Sequence, residues 1–242
     1  MSGVQALAGI ASAGLVAASL VLAAPASARD VINGTGGDDH LRGTAFSDTI
    51  RGFGGSDHVY ALAGPDLIFG GSGFDRVQAG RGDDNIRGGL KLDEVDAGRG
   101  DDTIRGGNGE DALRGGPDAD TIYGGAGPEF GISGGAGPDV IFGGAVSDLI
   151  FDGSGADTIY AGHGGDHVVL DGDGASDTVH CGPGDDVVFG ATPGENTIAA
   201  DCEEVHVGGC NECSSAGRAI ELESRLSSGG PGLAVRPASL VH

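Results

Sequence analysis

AGRGDDTIR (Ala97 to Arg105), GGNGEDALR (Gly106 to Arg114) and GGPDADTIY (Gly115 to Tyr123) follow one another without a gap. Each is a version of G-G-x-G-x-D-x-U-x, with U a large aliphatic residue, and the phrase recurs from Gly34 to about Ala199. Counted from Gly34, the sixth position reads Asp39, Asp48, Asp57, Asp66, Asp75, Asp84, Asp93, Asp102, Asp111 and Asp120, each nine residues after the last. The register then slips by one residue, giving Glu129 and Asp139, and continues through Asp148, Asp157 and Asp166. A second slip, of two residues near Leu170 and Asp171, leads to Asp177 and Asp186 before a degraded repeat at Glu195 or Asn196. The eighth position is aliphatic, from Leu41, Ile50 and Val59 through to Val179 and Val188. A fixed period of this length marks a solenoid, in which each repeat is one unit stacked on its neighbours.

Glycine at positions one, two and four opens backbone angles closed to other residues, so the first six residues are expected to form a tight loop. The remaining x-U-x makes a short strand with U turned inward. Two repeats close one coil of 18 residues, and coils stack with their strands parallel. The fold class expected is all-β, a parallel β-roll of about nine coils spanning residues 29–207. One aliphatic side chain per repeat makes a thin core, so the metal-free array is expected to be marginal or unfolded.

Stacking places Asp39, Asp57, Asp75, Asp93 and Asp111 above one another along one edge, and Asp48, Asp66, Asp84, Asp102 and Asp120 along the other. Carboxylates roughly 5 Å apart repel, and a divalent cation between coils turns the repulsion into a cross-link. Carboxylate and main-chain carbonyl oxygens are the donors that calcium prefers, whereas magnesium demands a tighter octahedron and transition metals ask for His or Cys. All sixteen acids from Asp39 through Asp120, with Asp139, Asp148, Asp157, Asp166, Asp177 and Asp186, are therefore candidate calcium ligands, and several ions are expected.

The chain has 242 residues, 51 Gly, no Trp and 5% aromatics, which excludes an ordinary globular core. Glycine in phase, without a triplet period, is neither collagen nor a flexible linker. A formal net charge of −23 argues against nucleic acid and anionic membrane surfaces as partners. Ala6 to Ala24 are almost all small or apolar and precede Pro25-Ala26-Ser27-Ala28, which reads as a signal peptide over residues 1–28 with a mature start near Arg29. The alternative is an uncleaved membrane anchor, since Lys and Arg are missing ahead of the apolar run. In both cases the repeats face an extracytoplasmic space. The four cysteines, Cys181, Cys202, Cys210 and Cys213, then favour disulfides. The pairing expected is Cys181 to Cys202 and Cys210 to Cys213, with zinc as the rival for the second pair.

The repeats resemble the RTX (hemolysin-type) calcium-binding β-roll, a likeness carried by turns such as GGSGFDRVQ (Gly70 to Gln78) and GGNGEDALR and covering roughly Gly34 to Asn196. The resemblance implies calcium held between turns by the sixth-position acids and glycine-loop carbonyls, and calcium-dependent folding. Three turns depart from it. Ala61 begins a repeat without its first two glycines, Lys91 replaces the fourth glycine in GGLKLDEVD, and Glu129 replaces Asp beside the slip. Sites at these turns are expected to be weak or empty. The closing CGPGDDVVFG and ADCEEV (Ala200 to Val205) look like the cap of secreted RTX-like proteins of actinobacteria. A Cys181 to Cys202 bridge there would close a loop of about 20 residues, worth roughly 3 kcal/mol.

Relatives of this kind often carry a catalytic domain, for which this chain leaves no room between Arg29 and the first repeat. H-E-x-x-H is absent, which excludes a zinc protease of that type, and with no G-x-S-x-G elbow expected, lipase chemistry finds no support. His163 and His167 are four apart, but within a glycine-rich turn that spacing carries no meaning. Ala216 to Leu226 reads as a short amphipathic helix, and the rest of residues 208–242 as disordered. The function expected is a secreted, monomeric, non-catalytic calcium-binding protein. A structural or adhesive role with a cell-surface or matrix partner is the rival, and a hydrolase built on the roll itself comes third. A partner face would show as a row of similar outward side chains. The mixed seventh and ninth positions show none, and an ice-binding stripe would find only Thr35 and Thr44 in phase.

Overall fold

The computed structural model describes residues 29–192 and 194–207. The expected signal segment, the expected Cys210 to Cys213 pairing and the helix expected at Ala216 to Leu226 fall outside the described residues, as does the rest of the tail.

Twenty strands, from Val31–Asn33 to Glu204–Val207, alternate between two parallel ten-stranded sheets. Odd strands form one sheet and even strands the other, each strand pairing with the one a full coil later. Thr103, Ile104 and Arg105 thus pair with Thr121, Ile122 and Tyr123, in the register that a period of 18 imposes. This is the β-roll read from the sequence, with a strand beyond the nonapeptide run at each end. Val31–Asn33 pairs below the first glycine turn, and Glu204–Val207 closes the second sheet.

The interior is built differently from a column of one aliphatic per turn. Many strands run six residues, as in Asn85–Leu90 (NIRGGL), and continue through the first two glycines of the following repeat. Alternation then turns three positions inward: the sixth-position acid, the aliphatic and the first-position residue. Ile50, Ile68, Ile86, Ile104, Ile122 and their successors are fully buried, and so are Ala61, Ala79, Ala97 and Ala161 at position one. Ala61 is accordingly a normal interior residue. At most turns the two walls leave room there for little more than a methyl group, Leu170 being the large buried exception.

Both register slips are absorbed locally. The first is Phe130, an extra residue left 67% exposed, beyond which Ile132 takes the buried place. Ile132 pairs with Leu113 and Ile150, a core residue that strict counting misses because Gly131 falls in the eighth position. The second slip becomes the turn from Asp171 to Ser176, after which Val179 pairs with Ile159. A Cys181 to Cys202 disulfide, the first of the two pairings expected, ties the final coils.

The outer face carries a row of side chains that inspection of single repeats does not show. In-register stacking places ninth-position residues of one sheet in a file: Arg51, Phe69 and Arg87, then Arg105, Tyr123, Phe142, Tyr160 and His180. Phe142 lies 4.8 Å from Tyr123 and 5.0 Å from Tyr160, nearly parallel to both. Arg105 sits over Tyr123 at 4.8 Å, and Arg51 and Arg87 flank Phe69. The ring faces are occupied by one another, so the file acts as a side-chain ladder within the sheet. Stacked aromatic pairs are worth about 0.5–1.5 kcal/mol each beyond area burial. Phe142→Ala, which removes two, is expected to lower the stability of the folded chain by about 1–3 kcal/mol in denaturant. Phe130→Ala should change it by less than about 0.5 kcal/mol, and an equal effect of the two would refute the ladder.

Candidate functional site

The sixth-position acids form two columns, one at each edge of the roll. In each column the main-chain N–H of one acid donates to a carboxylate oxygen of the acid one coil later. Asp39 donates to Asp57, Asp57 to Asp75, Asp75 to Asp93 and Asp93 to Asp111, at 2.8 to 2.9 Å. This column continues through Glu129, Asp148, Asp166 and Asp186 to Glu203. The other runs from Asp30 through Asp48, Asp66, Asp84, Asp102, Asp120, Asp139 and Asp157 to Asp177. All sixteen expected acids stand in these columns. The order is unbroken at Asp66, Asp93 and Glu129, the three irregular turns, where Glu129 reaches its place with its longer side chain. Glu203, the terminal rung of one column, lies outside the nonapeptide phase and was not foreseen.

One oxygen of each acid from Asp48 onward is thereby used. The second, in every ladder acid from Asp57 to Asp166 and in Asp186, is buried without a hydrogen-bond partner. An orphaned buried charge of this kind is costly. It faces a confined oxygen-lined cleft. A Cβ added to Gly52 would stand 2.2 Å from Asp57 Oδ2 and 2.3 Å from the Gly70 carbonyl oxygen, and other first-position glycines repeat the arrangement. A side chain is excluded from this space, and a carboxylate and a carbonyl of the next coil converge on it.

The column ends differ. Thr35 donates its N–H and hydroxyl to Asp39 Oδ2, and Thr44 does the same for Asp48. At the far end the Asn196 amide donates to Asp177 Oδ2. Asp39, Asp48 and Asp177 thus each have a neutral donor on the oxygen that other rungs leave bare, and Asp177, with one donor on each oxygen, keeps a lone pair on each for an ion. The two threonines in phase are caps for the ladder, and Asn196 takes the sixth-position role in its degraded repeat.

Burial is the main reason the free carboxyls sit far above the usual range. It pushes Asp84, Asp93, Asp120 and Glu129 to about 8, and Asp66, Asp102, Asp148 and Asp157 to about 7, against the lowering pull of the N–H bond each accepts. Repulsion from neighbouring rungs adds to it for Asp84, Asp93 and Asp120. The pKa of a folded carboxyl raised in this way makes protonation favour the fold. The cation-free roll is thus expected to be most stable below about pH 4 and to lose that stability as pH rises through about 6 to 8. Circular dichroism of the calcium-stripped chain should show more β-structure at pH 4.5 than at pH 8, both values being about those that bracket the titration. A flat or inverted profile would contradict the ladder's burial.

Other sequence candidates fall outside the columns. His167 stacks parallel to Phe189, 6.3 Å away. The G-x-S-x-G spacing, not expected above, does occur at Gly131-Ile132-Ser133-Gly134-Gly135. It lies inside the strand Gly131–Ala136, whereas a nucleophile elbow needs a strand-to-helix turn.

Two columns of buried acids, each with a free oxygen beside a carbonyl, along a parallel roll of nonapeptide turns, define a β-solenoid whose turns offer hard oxygen donors. The model of the RTX calcium-binding nonapeptide repeat matches residues 33–68, 60–90, 93–128, 132–145, 146–173 and 169–192. The chain belongs to that family. No curated protein matches it. The residues fit the ion the family implies. The donors are carboxylate and carbonyl oxygens, and the free oxygens of Asp57 through Asp166 and of Asp186 could hold calcium. Bound there, calcium would neutralise the stacked charges and cross-link adjacent coils.

Proposed function

We propose that the protein is a secreted, non-catalytic calcium-binding β-roll whose folding is driven by the ions it takes up. The observation that carries this reading is the unpartnered buried oxygen on each successive rung. Without a cation the roll must bury those charges or protonate them, and its thin core has little with which to offset either. With calcium, the same groups become links between coils. A site that exists only in the folded chain converts binding free energy into folding free energy.

The Cys181 to Cys202 bridge supports an oxidising compartment, and the apolar segment before Arg29 supports export. In surroundings rich in calcium, affinities of about 10⁻⁴ to 10⁻³ M suffice. The aromatic and arginine file is committed to the sheet itself, so no observation favours an adhesive role over this one.

Isothermal titration calorimetry of the full chain tests the reading. Several calcium ions per chain should bind, with heat that includes folding, and magnesium at equal concentration should bind far more weakly. Binding of one ion or none, or equal binding of magnesium, would refute it.

A further inference from the structure

Position one of the turn is Gly or Ala throughout the described repeats, apart from the disulfide-bonded Cys181 and two others, Leu170 and Asp152. Asp152 ends the pattern Leu149-Ile150-Phe151-Asp152 on the strand Leu149–Ser154, pairs in phase with the glycines of earlier coils, and is 1% exposed. Its carboxylate therefore enters the cleft that the glycine turns leave free of a side chain. Two ladder rungs, Asp157 and Asp177, border the same cleft, and ligand oxygens of the three residues lie within 4.8 Å of one another. All three are buried.

A second observation points to a ligand. Asp157 is 1% exposed, its Oδ1 accepts the Asp139 N–H, and its Oδ2 has no partner. In regular turns the equivalent Oδ2 faces position one, as Asp57 Oδ2 faces Gly52. Here that position is a second carboxylate. Neither ion pair among the described residues, Arg76 with Glu94 or His206 with Glu204, involves this group. Like charges this close in a dry cleft need a proton or a cation between them, and a cation leaves all three carboxylates ionised as ligands.

We propose that Asp152, Asp157 and Asp177 hold a calcium ion of their own, bound by three side-chain carboxylates at the second break in the nonapeptide register. This goes beyond the repeat sites but rests on the same reading, that the roll takes up calcium. A regular cleft between coils offers the carboxylates of two rungs, and this one offers a third. Calcium affinity rises with the charge count of the ligands, so this ion binds first. It also has a structural task. The Asp171 N–H donates to Asp152 Oδ1, which anchors the inserted turn from Asp171 to Ser176, and Asp173 accepts the Gly155 N–H from the preceding coil. The ion therefore pins the insertion where the regular stacking is interrupted.

Competition against a chromophoric chelator at limiting calcium, on the full chain, with Asp152→Gly and Asp152→Asn, provides the test. Asp152→Gly restores the residue of the regular turn, and Asp152→Asn keeps the shape without the charge. The wild-type chain should show one ion bound at least ~10-fold more tightly than the rest. Both variants should lose that step, the ion joining the weaker class, with the total number of ions and the calcium-loaded circular dichroism unchanged. Retention of the tight step in both variants would overturn the site while leaving the calcium-binding roll standing. Failure of the wild-type chain to bind calcium at all would overturn the site and the proposed function together.

Discussion

Gly107→Ala is expected to cost about 3 kcal/mol or more and to move the calcium midpoint of folding sharply upward. Gly107 is the second glycine of its turn, with φ of +123°. That angle lies beyond the left-handed region that other residues visit, so a side chain there is strained by its own backbone. The added Cβ would also stand 2.2 Å from the Gly89 carbonyl oxygen, one coil below. The clash cannot relax singly, because Gly89 is as close to Gly71 and Gly125 as close to Gly107. The chain's own exceptions obey the same rule. Phe53 and Leu62 occupy this position at φ of 74° and 84°, within reach of ordinary residues, and stack over the first, Thr-capped coil. Gly36→Ala is the control, since nothing lies within 4 Å of its Cβ and its φ is not positive. Equal stability of the two variants would show that close stacking of the loops is not what glycine provides.

Asp102→Asn should have the second large effect, on calcium more than on the apo chain. Asp102 is 1% exposed, receives the Asp84 N–H on one oxygen and leaves the other free. Asn preserves the volume and an acceptor for Asp84 but removes the charge from the clefts on either side. A hydrogen-bonding or ligating charge lost from a buried site is worth about 1.5–3 kcal/mol, so calcium affinity at the adjacent clefts should fall by roughly ten-fold or more. Asp96→Asn, on an exposed outward residue of the same sequence region, should leave the titration unchanged. If the two variants titrate alike, the inward acids are not the ligands and only net charge matters.

Much of this molecule was legible in the letters alone, for a physical reason. A solenoid repeats one local geometry, so period and phase together specify the coil, the register and the columns in which Asp57, Asp84 or Asp120 stand. What stayed hidden was whatever depends on neighbours one coil away. Thr35 and Thr44 look like background until their donors meet Asp39 and Asp48. The file from Arg105 to His180 looks mixed turn by turn and becomes a ladder only when alternate repeats are stacked. Ile132 was lost because Phe130 shifts the count by one, and Asp152 because counting follows the sixth position while its importance lies at the first. Glu203 completes a column from outside the repeat. The rule for later chains of this type is to read every position along the stacking direction, 18 residues at a time, as well as along the repeat.

Calcium as the agent of folding is tested most directly by far-UV circular dichroism of the full chain at pH 8, titrated with calcium to the millimolar range and then with excess chelator. The account predicts a coil spectrum without calcium, conversion to β-structure as calcium is added, and reversion with chelator. A β spectrum that neither calcium nor chelator alters would contradict it, leaving a roll that holds its buried acids by other means.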